Sequence, residues 1–544
     1  MNMRLVYTII LMMAAFVSAP AQERLASPQL TVKEPTFVRM SDAKVSWSLV
    51  EGADSYTVRL DGEEIEVIGN TIYLAGKVGK HTVEVIAKSS RGLEPSLPAS
   101  ATINVRDYGE GTLKRPYLIY DKNDWKLFAN AVTNNHFGNK GFEGEVVALA
   151  ANIDFEGEKI QSVGKNYATG FRGVFDGKGR TLQNGVLEGK GGLGIFVSFH
   201  GIMKNLKVNN ITLRSIVTKP SEGRCAVICG GEATGQFYNC MVTDCSVDIS
   251  GEGSVGALAG TIAAVLNSPE ALVDRCIAMN NKVAVGNTHA SALVARVTSG
   301  TVRNCIAQNN RVYAGVRFAS GIAAMVCSPL AVIDHCLSSG NKITSKEFYA
   351  SGVVGELSSG VVVNCTSDSN TITVEERRLI GGVAGQLKKD GNLINCLSKN
   401  CILNVRKAKE SYAGLVFANA ENDFSGTISN CLVLSGEVNV SSASIGYVGI
   451  IGGWLKDSYR CADCFYSEDL ITSYNRTLSG RFYGFGRPGS GGSNYDCAFP
   501  AEKSALESMS SDSIMNRLNS GVYRLTSFGA TEWVRGADGF PSIK

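Results

Sequence analysis

Proline is scarce in this chain, 12 of 544 residues, and histidine scarcer still, at five. The histidines, His81, His136, His200, His289 and His335, are scattered. They leave no Ser–His–acid order to read as a hydrolase triad. No H-E-x-x-H segment occurs, so zinc-peptidase chemistry is not indicated. The pair Cys461-Ala-Asp-Cys464 has no histidine nearby, and no metal or other cofactor is expected. Charge is thin as well: 19% of residues are charged and the formal net charge is +3, too mild to suggest a nucleic-acid partner. Beyond the N-terminal segment no stretch approaches about 18 uninterrupted apolar residues, so no membrane insertion is expected. Apolar runs long enough for pairs of helices are missing too.

What the chain does have is 15 cysteines and 60 glycines. Seven cysteines recur in phase, as YNC at Cys240, DRC at Cys276, RNC at Cys305, DHC at Cys336, VNC at Cys365, INC at Cys396 and SNC at Cys431. Cys464 continues the series. The spacings are 36, 29, 31, 29, 31 and 35 residues. A period of this size marks a solenoid, in which each repeat buries its apolar face by stacking on its neighbours. Five residues after the cysteine stand Asn281, Asn310, Asn341 and Asn370, with Cys245 and Cys401 in the same place on other rungs. Further on come small-residue runs: GALAG at Gly256, ALVAR at Ala292, GIAAM at Gly321, GVVGE at Gly352, GVAGQ at Gly382, GLVFA at Gly414 and GIIGG at Gly449. Repeats this short, rich in Val, Ile, Thr, Gly and Asn, point to one β-coil each. The expected class is all-β: an N-terminal sandwich, then a right-handed parallel β-helix with a short helical cap. Stacked coils would align the cysteines as a buried thiol ladder and the asparagines as a hydrogen-bonded one.

The boundaries follow. Residues 1–21 read as a secretory signal, with basic Arg4, an apolar core from Leu5 to Val17, and cleavage after Ala21. The chain is therefore expected to be secreted, at the cell surface or in a periplasm. In such a compartment exposed thiols pair, as Cys225–Cys229 or Cys461–Cys464 could, whereas Cys276, Cys305, Cys336, Cys365 and Cys396 should stay shielded and reduced. Residues 27–106 alternate apolar and polar positions around Trp47, Tyr56, Val58, Val83 and Val85, the pattern of a sandwich. Residues 107–140 lead in through PYLIY and a short helix capped by Asp121 or Asp124. Residues 141–482 carry the coils, and 483–544 form a linker, GFGRPGSGGS, and a C-terminal segment.

The PYLIY-plus-helix lead-in, the FRGVFDGKGRTL turn, the GLGIF, GVVGEL and GVAGQL runs and the V-x-N-C rungs resemble the GLUG-repeat family. The closing ALESMSSDSIMNRLN and TEWVRGADGFPSIK look like the end of such β-helix proteins from Bacteroidetes. The resemblance covers roughly residues 107–544. It implies a surface or adhesin-like β-helix and supplies no catalytic residues. Such repeats also occur in the N-terminal part of some immunoglobulin A metalloproteases. The Trp47 strand followed by GADSYTV resembles a fibronectin type III module, implying a spacer or a ligand-binding module.

One column invites a ligand. Before the small-residue runs come His289, then Arg317 and Phe318, Phe348 and Tyr349, Arg377 and Arg378, Lys409 with Tyr412, and Tyr447. Aromatic faces among guanidinium and amine groups suit a glycan or a host surface ligand. A solvent-facing turn shielded by long side chains is the plainer alternative. The enzymatic alternative is a polysaccharide lyase or glycoside hydrolase, with Asp274 and Asp334 in equivalent places two coils apart, about 10 Å by strand spacing. No third acid joins them, and turn capping explains both.

Overall fold

The computed structural model describes residues 23–37, 43–74, 76–135, 140–217, 223–251, 257–376, 379–407, 410–440, 445–455, 461–467, 471–474, 485–488, 498–501, 506 and 513–544. The expected signal segment, Arg377, Arg378 and Lys409 lie outside them. The chain divides between Gly109 and Glu110.

The first unit is antiparallel throughout. Strands β1 (Leu30–Lys33), β2 (Lys44–Trp47) and β5 (Thr71–Tyr73) form one sheet, in the order β1-β2-β5. Strands β3 (Ser55–Leu60), β4 (Glu63–Val67), β6 (Gly79–Lys88) and β7 (Ala99–Val105) form the other, in the order β4-β3-β6-β7. Alternation does what it should: Val83, Val85 and Ala87 are buried while the residues between them are not. Trp47 meets Tyr56 edge-on at 5.5 Å, among Val45, Val58 and Ile103. The β3–β4 turn is Asp61-Gly62, both at positive φ (53° and 94°), the twist a tight hairpin requires.

The second unit is a parallel β-solenoid. Its lead-in strand Tyr117–Ile119 pairs in parallel with Val146–Leu149. Helix α1 (Lys122–Thr133) begins at Asp121, whose carboxylate accepts from the amides of Asn123 and Asp124. Its Trp125 and Phe128 lie edge-on to Phe155, Phe175, Phe142 and Phe171 at 5.6–6.1 Å, sealing the first coils. An open coil end would otherwise expose apolar surface.

Each coil then presents four faces. Face A holds the long strands, such as Ala263–Asp274, Val294–Arg303, Ala323–Asp334 and Val354–Val363. Face B holds short strands just after each cysteine, such as Ile277–Met279 and Ile306–Gln308, and stacks twelve strands among the described residues. Face C, with Lys282–Val285 and Arg311–Ala314, stacks ten, and face D, with His289–Ser291, Phe318–Ser320 and Tyr349–Ser351, stacks eight. All these pairings are parallel; faces B and D keep register throughout, so one repeat position becomes one column, while face A shifts register at bulges in mid-strand, as between Leu266 and Leu272.

The triplets ending in cysteine now have a physical reason. The residue before the cysteine turns the A–B corner in the left-handed region, at Asn304 (φ 54°), Asn364 (54°), Asn395 (52°) and Asn430 (58°). Asparagine tolerates that region better than other side chains with a Cβ. A second such corner, B–C, falls at Asn280 (59°), Asn309 (56°) and Asn400 (53°). Just past it stands the buried ladder. Asn310 donates from both its backbone amide and Nδ2 to Asn341 Oδ1 (2.8 and 2.9 Å), and Asn341 does the same to Asn370 (2.9 and 3.0 Å). The ladder cysteines are buried free thiols. Cys305 and Cys365 each donate to the carbonyl two residues back at 3.1 Å, and burial pushes both thiols well above their ordinary pKa.

The C-terminal part departs from expectation. Residues 485–488, read as linker, form a strand that pairs in parallel with Gly452–Leu455, and Ala498–Ala501 pairs with Cys464–Ser467. The solenoid thus runs past residue 482, because an open strand edge offers backbone pairing to any extended segment, glycine-rich or not. Helix α2 (Ile514–Arg524) then turns back along face B, packing Met515, Leu518 and Val522 on Leu397, Leu432 and Phe465. The chain ends in a hairpin of Trp533–Arg535 and Pro541–Ile543. Before it, Thr531 donates to Asn364 Oδ1 (3.0 Å) and accepts from Asn395 Nδ2 (2.8 Å).

Candidate functional site

Faces D and A meet at an inside corner, and the outward side chains there shield one another. Face D supplies one wall. His289, Phe318, Tyr349, Leu379, Tyr412 and Tyr447 follow one another in register, with Leu258 and Arg224 before them. Their rings stack along the solenoid axis: Phe318 on Tyr349 at 4.6 Å and 18°, Tyr412 on Tyr447 at 5.0 Å and 23°, with His289 tilted on Phe318 at 5.1 Å. The ring spacing matches the strand spacing of about 4.8 Å, so the ladder follows from the register.

Seven residues further along each coil stands the opposite wall: Val265, Arg296, Met325, Glu356, Gln386, Asn419 and Trp454, also in register. Sequence reasoning missed this wall. Its signal is the constant offset from the aromatic column, since no one chemistry runs the length of the wall. Between the walls runs a floor of small residues, Ala264, Ala295, Ala324, Gly355, Gly385, Ala418 and Gly453. A Cβ at Gly355 would meet Phe318 Cβ at 2.9 Å, and one at Gly453 would meet the Tyr447 carbonyl at 2.9 Å, so the floor stays small. The last glycine of GVVGE-type runs, or the alanine in its place, is therefore the bottom of a groove.

Polar groups line it at unequal cost. Glu356 is buried, with Ser358 donating to its carboxylate and Lys388 3.4 Å away; Lys388 also reaches Glu421 at 3.5 Å. Burial works against the Lys388 ammonium, but the fields of Glu356 and Glu421 raise its pKa overall. Burial, joined by the fields of Glu421 and Glu356, likewise raises the Tyr349 phenol. Among the described residues four wall atoms, buried from solvent, have no hydrogen-bond partner: His289 Nδ1, Arg296 Nε, Gln386 Oε1 and Asn419 Oδ1. A buried polar atom left unpaired costs about 1–3 kcal/mol, so four along one groove are dear unless something pairs with them.

The expected site residues are partly assembled here. His289, Phe318, Tyr349 and Tyr412 share the wall, but His289 and Phe318 are buried rather than solvent-facing. Phe348 lies beside Tyr349 at 5.7 Å, and Arg317 is exposed in the turn before Phe318. Asp274 and Asp334 sit at the far end of face A, two rungs apart with Arg303 between them in register. They serve the corner. Asp274 accepts from Asn304 (2.9 Å) and Arg303 (3.3 Å), and Asp334 accepts from Asn364 (2.7 Å) and faces His335 at 2.6 Å. Burial alone would raise the Asp274 carboxyl, yet Asn304 and Arg303 hold it below its ordinary value. A general acid needs the opposite shift. Among the described residues no three His, Cys, Asp or Glu side chains are grouped to hold a metal, and no helix is long and apolar enough to cross a membrane. A cavity of about 520 Å³ lies elsewhere, between Leu434 and Phe540, and none of its lining residues has an unpaired buried polar atom.

No family model matches the chain, and no curated protein matches it. Solved structures do. A crystal structure described as a "putative immunoglobulin A1 protease from Bacteroides ovatus" is 15% identical with a TM-score of 0.34, over 80% of this chain and 94% of that one. An "IgA1 Protease" is 12% identical with a TM-score of 0.28, over 84% of this chain and 30% of that one. A family 28 exopolygalacturonase from Yersinia enterocolitica is 8% identical with a TM-score of 0.19, over 88% of this chain and 99% of that one.

Proposed function

We propose that this is an exported, non-catalytic binding protein of adhesin type that takes a glycan in the groove between faces D and A. The observation that carries the reading is the set of unpaired buried atoms on His289, Arg296, Gln386 and Asn419, opposite or within an aromatic wall. Hydroxyl groups of a sugar would donate to the two amide oxygens, and its apolar C–H surface would rest on the rings. An oligosaccharide is also long and narrow, as the groove is. The N-terminal sandwich, in the fibronectin type III manner, acts in this reading as a spacer, and the GLUG-like coils as the presenting surface.

A broad glycan array probed with the purified protein tests this. Binding to a subset of glycans is expected, weakened at least tenfold, about 1.4 kcal/mol, by Tyr349→Ala or Gln386→Ala. Binding that survives both substitutions would remove the groove from the account, and silence across the array would remove the glycan.

A further inference from the structure

The groove is not uniform along its length. At its N-terminal end Arg224 and Glu232 join the walls as an ion pair at 2.5 Å. The next rung is apolar, Leu258 and Val265 packing with Ala226, Ala264 and Ala295. Then His289 stands opposite Arg296, with Arg317 close by in the following turn. The two guanidiniums depress the His289 imidazole after burial has already done so, to about 3, so this ring is neutral in a positive field. Neither Arg296 nor Arg317 forms an ion pair among the described residues, and the acids on the walls are engaged: Glu232 by Arg224, Glu356 by Lys388. The half-buried Arg296 keeps Nε unpaired and buried, and the nine-tenths-buried His289 keeps Nδ1 unpaired.

Two unmatched guanidiniums at the rim of a groove call for an anion, and the buried Nδ1 beside them donates to it in the tautomer that carries the proton there. We infer that the His289–Arg296–Arg317 rung is an anion subsite, holding a carboxylate or sulfate borne on the sugar, whose body lies along Tyr349. Guanidinium suits either group, because its parallel N–H bonds match two oxygens of one planar or tetrahedral anion. A polyanion such as nucleic acid fits poorly: it wants a stripe of cations, and the next rungs offer Met325 and Glu356 instead. The inference rests on the glycan reading and adds the sign of the ligand and its register in the groove.

Titration calorimetry on the full chain tests it, with oligogalacturonate, its methyl ester and a sulfated galactan oligomer as probes. The expected result is at least tenfold tighter binding of one acidic probe than of the neutral ester. Arg317→Gln should erase ten- to hundredfold of that preference and leave the ester within twofold, and Arg296→Gln should lower the ratio of acid to ester binding by a similar factor whatever it does to the ester itself. Arg296→Lys, with an unchanged melting curve, should restore part of it. Preference for the carboxylated or for the sulfated probe identifies the anion. Equal binding of acid and ester, both lost in Tyr349→Ala, would sink the anion subsite and leave the groove standing. So would an acidic preference that Arg296→Gln and Arg317→Gln leave intact. No binding of any probe, together with a silent array, would take the glycan reading down as well.

Discussion

Single residues in this protein are chosen by what a stacked coil does to them. At the A–B and B–C corners the backbone enters the left-handed region, and Asn304, Asn364 and Asn309 meet that demand. Inside, the Asn341 side chain links neighbouring coils through five hydrogen bonds, two from Asn310 and one each to Asn370, Ser338 and the Ala307 carbonyl, so nothing in it is left unsatisfied. His289 is the contrary case, buried with a nitrogen unpaired and held near a pKa of about 3 by burial, Arg296 and Arg317. The unfolded chain takes up that proton near pH 6.5, the folded chain only near 3. Between those values the unfolded state binds more protons, so stability falls as pH falls. Urea unfolding of the wild type and of His289→Phe, which extends the ring stack, should therefore diverge below pH 6.5. The wild type should lose about 1.4 kcal/mol more per pH unit than the variant. Carboxylates titrate alike in both proteins and cancel. A difference that stays constant with pH would show that His289 protonates as readily folded as unfolded.

At the scale of elements, much was legible because stacking turns sequence period into structure. The cysteine and asparagine positions gave the coil, and the PYLIY-plus-helix segment gave the lead-in cap, since both rest on local pattern. The second groove wall was not legible: Arg296, Met325, Glu356 and the amides Gln386 and Asn419 share no one property from rung to rung. Only the seven-residue offset from His289, Phe318, Tyr349, Leu379 and Tyr412 unites them, and it acquires meaning once faces D and A are known to meet. The C-terminal element was misjudged for a related reason. A helix–hairpin segment reads as separate until its apolar side is matched to Leu397, Leu432 and Phe465, outward residues on three different coils. Trp533 locks that segment, its indole donating to Asn395 at the A–B corner. Trp533→Ala should cost about 3–5 kcal/mol of docking free energy. Limited proteolysis should then trim the C-terminal segment and leave a resistant solenoid. A variant no more sensitive than the wild type would show that the docking does not depend on this side chain.

At the scale of the whole molecule the solenoid repeats inside and varies outside. Parallel register makes inward positions repeat, as Val283, Val312, Ile343 and Ile372 do on face C, whereas the corner between D and A changes chemistry from rung to rung. It opens with an ion pair at Arg224 and Glu232, passes an apolar rung and the cationic His289–Arg296 rung, and reaches amides at Gln386 and Asn419 beside aromatic Tyr412 and Trp454. A purely structural corner would repeat, as the A–B corner repeats Asn304, Asn364, Asn395 and Asn430. This one does not, and with four buried polar atoms unpaired along it among the described residues, that is the central reason for placing the ligand there. The most direct test is a crystal structure of the protein soaked with the best glycan from the array. The account predicts an ordered saccharide along the D–A groove, with hydroxyls within hydrogen-bond distance of Gln386 Oε1 and Asn419 Oδ1. An ordered saccharide on another face, with those two oxygens still unpaired, would contradict it.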